Sequence, residues 1–98
     1  MELDFATTKL RRSFESREES LRVFGAAIGK KYVMAVNFIR QARTIQDLHT
    51  APQYRFHRLQ GNRASEYALT LTGNWRLIVT IPSPNVVRIE KVEDYHGR

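Results

Sequence analysis

Two stretches of the sequence gather side chains that can move protons or grip phosphate. Residues 54–63 hold His57 together with Arg55, Arg58 and Arg63, and contain no acid. The run Asp94-Tyr95-His96 places three proton-transfer groups in succession near the C-terminal end. Cutting RNA without a metal requires a base for the 2′-OH proton, an acid for the departing 5′-oxygen and a cation at the crowded phosphate. Histidine, with an ordinary pKa of about 6.5, serves either proton role near neutrality. An antiparallel meander that brings its second and last strands onto one surface would let His57, Arg76 and His96 converge. Each stretch also has a plainer explanation. Residues 54–63 also read as a strand with Tyr54 or Phe56 in the core and solvated arginines outside, and the terminal run as a polar tail. Interleaved with cations, the same two aromatics have a composition that stacks bases.

Other chemistries are poorly served. The chain has no cysteine, which removes disulfides, thiolate catalysis and cysteine-ligated zinc. His49, His57 and His96 are not spaced as metal ligands, so no metal site is expected. No glycine-rich phosphate cradle and no G-x-S-x-G elbow occurs. The net charge of +6 suits a polyanionic partner, although many small domains are basic without one. Met1-Glu2-Leu3-Asp4 is acidic where a secretory leader is basic, and no apolar run spans a membrane. The expected location is the cytoplasm.

With 98 residues the chain has the length of one domain, 1–98, and buries a core without staples. Leu3-Asp4-Phe5 alternates as a short first strand. Thr7 or Thr8 caps a helix through Phe14, and Ser16 with Glu19 has the form of a capping box. Leu21, Phe24, Ile28, Tyr32, Ala35, Ile39 and Ala42 then recur at steps of three and four, as one helix face would. Gly25 and Gly29 mark either a break or a close approach to the sheet. One more turn is expected within 44–50. From Tyr54 the period becomes two: loosely over 54–59, then clearly over 67–72, 75–81 and 86–92, with turns at Gly73-Asn74 and residues 82–85. Helices first and hairpin-linked strands second predict an α+β fold, with an N-terminal strand and two to three helices on one face of an antiparallel meander.

Three motifs, in order, resemble the HigB-like killer toxins of the RelE/ParE superfamily: Phe56-His57-Arg58-Leu59-Gln60-Gly61-Asn62-Arg63, Gly73-Asn74-Trp75-Arg76-Leu77-Ile78 and Glu93-Asp94-Tyr95-His96. The resemblance spans nearly the whole chain. It implies a compact RelE-like fold and a ribosome-dependent, metal-independent mRNA endonuclease that requires no cofactor. It also implies a helix-turn-helix, HigA-like antitoxin, with operator DNA reached only through that antitoxin and no membrane contact. By position, His57 becomes a proton-transfer or 2′-OH-orienting group and Arg76 the transition-state cation. Asp94 and His96 become candidate base and acid, and Tyr95 stacks on a base or orients phosphate. Arg63 would hold the RNA backbone alongside Arg55 and Arg58. Trp75, opposite Arg76 by alternation, belongs to the core.

The chain departs from the family pattern at Gln60, where a lysine is usual, at Asn62, where an aspartate is usual, and at Tyr67, which replaces a tryptophan. The loop 63–66 is also slightly longer. Losing one charge-assisted phosphate contact costs roughly 1.5–3 kcal/mol, so catalytic strength is the property these changes bear on. Two other functions fit the same fold: a ParE-like toxin that inhibits gyrase by protein contact, and a weakened homologue that mainly binds its antitoxin. His57 and the Asp94-Tyr95-His96 ending favour the ribonuclease over the gyrase inhibitor.

Overall fold

A computed structural model of the chain describes residues 1–95. The N-terminal strand β1 (Glu2–Phe5) leads into helix α1 (Thr8–Glu15) and the longer α2 (Arg17–Gln41). Three short 3-10 turns, Ile45–His49, Pro52–Tyr54 and Gly61–Arg63, surround the two-residue strand β2 (His57–Arg58). Strands β3 (Glu66–Thr72), β4 (Trp75–Ser83) and β5 (Val86–Asp94) complete the chain. They form one five-stranded sheet in the order β1-β5-β4-β3-β2. β3, β4 and β5 form the expected meander, β2 adds antiparallel to β3, and β1 joins the opposite edge parallel to β5.

The helix starts follow their capping residues. Thr7 Oγ1 accepts from the Leu10 amide, and Ser16 Oγ accepts from the Glu19 amide. The reciprocal half of the second box is not made, because Glu19 pairs with Arg22 instead. Gly25 breaks α2: its φ of 80° and ψ of 172° lie outside the helical region. This is why the long apolar stripe does not act as one face. Tyr32, Ala35 and Ile39 are buried, whereas Leu21, ahead of the break, is 56% exposed. Gly29 is a close approach, but to Ser20 in the preceding helical segment and not to the sheet. A Cβ there would lie 2.7 Å from Ser20 Oγ and 2.9 Å from its carbonyl oxygen.

The second half of α2 packs on the sheet face that carries Leu69, Leu71, Leu77, Val79, Val87 and Ile89. The Tyr32 hydroxyl donates to the Leu10 carbonyl at 2.7 Å, tying α1 to this core, and burial pushes the phenol pKa well above its usual value. Alternation over 54–59 does not give a strand of that length. Residues 52–54 form a 3-10 turn behind Pro52, and Arg55 adopts a left-handed conformation, so the pleat starts only at His57. The aromatics this exposes to the interior are consumed there: Tyr54 stacks on Phe38 at 4.8 Å, and Phe56 stacks on Tyr67 at 5.2 Å. The base-stacking composition of 54–63 is therefore core composition. Trp75 packs with the same core, as its alternation with Arg76 requires.

Candidate functional site

Among the described residues, the opposite face of the sheet carries no α-helix. Residues directly paired across antiparallel strands share a face, so the register identifies which side chains lie there. One row runs His57, Ala68, Ile78, Lys91 across β2, β3, β4 and β5, and the next runs Thr70, Arg76, Glu93. His57 and Arg76 thus occupy one surface, separated by about 10 Å across two strand spacings and about 7 Å along them. Trp75 pairs with Asp94, which assigns Asp94 to the helix-covered side and away from Arg76. His96 lies outside the described residues.

A small apolar platform on this face consists of Leu59, Ala68 and Ile78, with Tyr95 packed against it. The Tyr95 amide donates to the Asn74 carbonyl at 2.8 Å. That bond brings the C-terminal motif to the turn preceding Trp75-Arg76, while the Tyr95 side chain lines a cleft with His57, Arg58, Leu59, Gln60, Asn62 and Arg63. The three sequence motifs consequently meet around Tyr95. The cleft volume is about 500 Å³. A second concavity, of about 620 Å³, lies on the helices; its only titratable lining groups are Arg17 and Lys30.

His57 is exposed, with Nδ1 2.7 Å from the Arg55 carbonyl oxygen. A carbonyl only accepts, so Nδ1 carries the hydrogen, and in the neutral ring Nε2 keeps its lone pair. The left-handed backbone at Arg55 presents that carbonyl, a contribution the sequence did not signal. Arg76 is half-buried and donates from Nη1 to the Gly73 and Trp75 carbonyls at 2.7 and 3.1 Å. These bonds fix the guanidinium while its remaining N–H groups have no protein acceptor among the described residues.

Arg63 stands differently from the expectation that it grips RNA. Its Nη1 and Nη2 make a bidentate pair with Glu93 at 2.9 and 2.8 Å, and Nε reaches Glu66 at 2.6 Å. The two carboxylates raise the guanidinium pKa further above its ordinary value, and Arg63 holds the Glu93 carboxyl below its own. Arg63 therefore joins the loop before β3 to β3 and β5. Residue counting missed the Glu93 pairing because Arg63 and Glu93 meet only through the meander, whereas Glu66, three positions from Arg63, was within local reach. Lys91 also lies against Glu93, at 3.3 Å, and Arg88 lies between Asp4 and Glu90. Among the described residues, the cations on the β2 side without a carboxylate partner are Arg55, Arg58 and Arg76. Arg58 is held by its Nε bond to the Ala64 carbonyl and by the Tyr67 ring, 5.9 Å from its guanidinium carbon.

The described residues hold no group of three metal-ligating side chains and no helix long and apolar enough to cross a membrane.

The strand–helix–helix–meander order is that of a compact α+β RelE-like fold. Solved structures that share it include two toxins. A YoeB/ParE toxin from Agrobacterium tumefaciens superposes with a TM-score of 0.57 at 15% identity, covering 99% of this chain and 100% of that one. YafQ from Escherichia coli strain BL21(DE3) superposes with a TM-score of 0.51 at 17% identity, covering 93% of this chain and 89% of its own. A search for curated relatives finds no match. The model of the RelE-like toxin of the type II toxin–antitoxin system HigB matches residues 3–96, and the chain belongs to that HigB-like family. Membership in a type II toxin–antitoxin family implies an antitoxin partner.

Proposed function

We propose that the protein is an mRNA endonuclease that cuts by side-chain acid–base chemistry on the open sheet face. The observation that supports this most is the Nδ1-anchored His57, sharing an uncovered surface with the backbone-anchored Arg76. In this reading His57 Nε2 takes the 2′-OH proton, the 2′-oxygen bonds to the adjacent phosphorus, and the P–O5′ bond breaks. The products are a 2′,3′-cyclic phosphate and a 5′-hydroxyl, whose proton comes from His96 as acid. Arg76 stabilises the charge that accumulates on the phosphoryl oxygens. Tyr95 lines the same cleft and orients the nucleotide. Arg55 holds the RNA backbone, while Arg58, tied to the Ala64 carbonyl and the Tyr67 ring, and Arg63 fix the loop that carries the cleft.

The substrate is message on the ribosome, the compartment is the cytoplasm, and the partner is a HigA-like helix-turn-helix antitoxin through which operator DNA is reached. The test is induction of the wild-type chain beside His57→Ala and His96→Ala, with growth followed and 5′ ends of a translated message mapped by primer extension. Growth arrest with cuts inside the reading frame that each substitution removes is the expected result. Arrest without cuts would replace this reading with a gyrase-type target, and absence of arrest with a weakened homologue. Coexpression with the neighbouring open reading frame is expected to yield a co-purifying complex; a neighbour that never binds would count against the antitoxin assignment.

A further inference from the structure

We propose that the cleft between His57 and Tyr95 is a nucleobase subsite, and that Gln60 and Asn62 read the edge of the base. The inference rests on the ribonuclease reading for its physiological ligand, RNA. Its support is an account of which lining groups are already bonded. Arg63 is committed to Glu66 and Glu93, and Arg58 to the Ala64 carbonyl and the Tyr67 ring. His57 has one nitrogen committed to Arg55. Gln60 and Asn62 are exposed, and their carboxamides have no partner among the described residues.

A carboxamide offers a donor and an acceptor in one plane, which matches the paired donors and acceptors of a base edge. It carries no charge with which to hold a phosphate. The rest of the cleft suits a flat ring. Leu59 is 5% exposed and forms an apolar floor, and the Tyr95 ring packs beside it; stacking on an aromatic ring favours a base over a phosphate.

The amides stand on an ordered support. The Leu59 amide donates to the Glu66 carbonyl at 2.9 Å, and the Arg63 and Ala64 amides donate back to Gln60 and Gly61. Gly61, with a φ of 70°, makes the turn that separates Gln60 from Asn62. Arg63 then fastens the end of that turn to β3 and β5. Such a support reduces the ordering required on binding. The replacement of a lysine and an aspartate by two amides exchanges two full charges for hydrogen-bonding edges without altering the net charge of the pair.

Two measurements test this. The first maps RNA 5′ ends after inducing wild type, Gln60→Ala, Asn62→Ala and the double variant, and scores base frequencies at each position flanking the cuts. The expected result is a base preference at one flanking position that falls about tenfold in the double variant. The ratio is internal to each variant, so slower overall cleavage does not imitate the effect. Cuts with an unchanged ratio, or with no preference in wild type, would overturn the proposal and leave the ribonuclease reading intact. The second titrates 15N-labelled protein with the four ribonucleoside 5′-monophosphates and with inorganic phosphate. The Gln60 and Asn62 side-chain NH2 signals should shift by amounts that differ among the bases. Shifts reproduced by inorganic phosphate, or no shifts, would overturn it. Base-selective shifts in a protein that makes no cuts would sink the ribonuclease reading and retain the subsite.

Discussion

The two faces of the sheet are built from the same strands and do opposite work. On the helix side Leu69, Leu71, Leu77, Val79, Val87 and Ile89 form a continuous apolar layer under α2. On the open side the buried apolar residues among those described reduce to Leu59, Ala68 and Ile78 beneath Tyr95, surrounded by Arg63, Glu66, Arg76 and Glu93. One face stabilises by area removed from water; the other holds polar groups in place by hydrogen bonds to backbone and to one another. If the open face carries the proposed chemistry, folding free energy and chemistry are separated across the thickness of a single sheet, and substitutions should report which face they touch.

The largest effect should come from the open face and leave stability alone. His57→Ala is expected to lower cleavage about 10²- to 10⁴-fold, while urea unfolding stays within about 0.5 kcal/mol of wild type, because the ring is exposed. A variant that loses activity and stability together would erase the separation. Next is the covered face: Leu77→Ala should cost about 2–5 kcal/mol in urea unfolding. Ile78→Ala, equally buried but under the thin Tyr95 layer, should cost less, since that layer is free to settle into the space. Equal losses would show that both faces support the fold alike.

A smaller effect is expected within the helices. Gly29→Ala forces a methyl group to within 3 Å of Ser20 and should cost about 1–3 kcal/mol, measurable as a lower thermal midpoint. An unchanged midpoint would mean the two segments of α2 separate freely.

The smallest effect concerns the ion pairs of Arg63. Its partner Glu93 has a carboxyl pKa held below the ordinary value near 4.5 by the Arg63 hydrogen bonds. A depressed carboxyl contributes stability that is complete above its unfolded value and is lost as pH falls through its folded value. Unfolding measured between about pH 6 and pH 3 should therefore show an acid-side loss that Glu93→Gln diminishes, by no more than about 1 kcal/mol because the pair is partly solvated. If Glu93→Gln retains the wild-type acid slope, the clamp contributes nothing measurable to folding.

Much of the scaffold was legible along the chain. Thr7 and Ser16 announced helix starts because capping is a contact among neighbours in sequence. The strands of the meander and the inward Trp75 followed from alternation, which backbone geometry fixes. The break at Gly25 was open between two readings, and the close approach of Gly29 went to Ser20 instead of the sheet, because the direction of a helix after a left-handed residue depends on what it packs against. Tyr54 and Phe56 illustrate the same limit. Aromatic residues between arginines suit RNA and suit a core equally, and burial against Phe38 and Tyr67 decided the matter.

The sequence by itself determined the family, the α+β order of elements and the inventory of proton-transfer and cationic groups, since these depend on residue type and on spacing of a few positions. Only the tertiary structure decided which of those groups are available. Pairing β3 with β4 and β4 with β5 brought Glu93 to Arg63, turned Asp94 away from Arg76 and left the Gln60 and Asn62 carboxamides without a partner among the described residues. Those outcomes rest on contacts between residues up to 30 positions apart, and strand register sets them, because a shift of one residue reverses the face to which every side chain points.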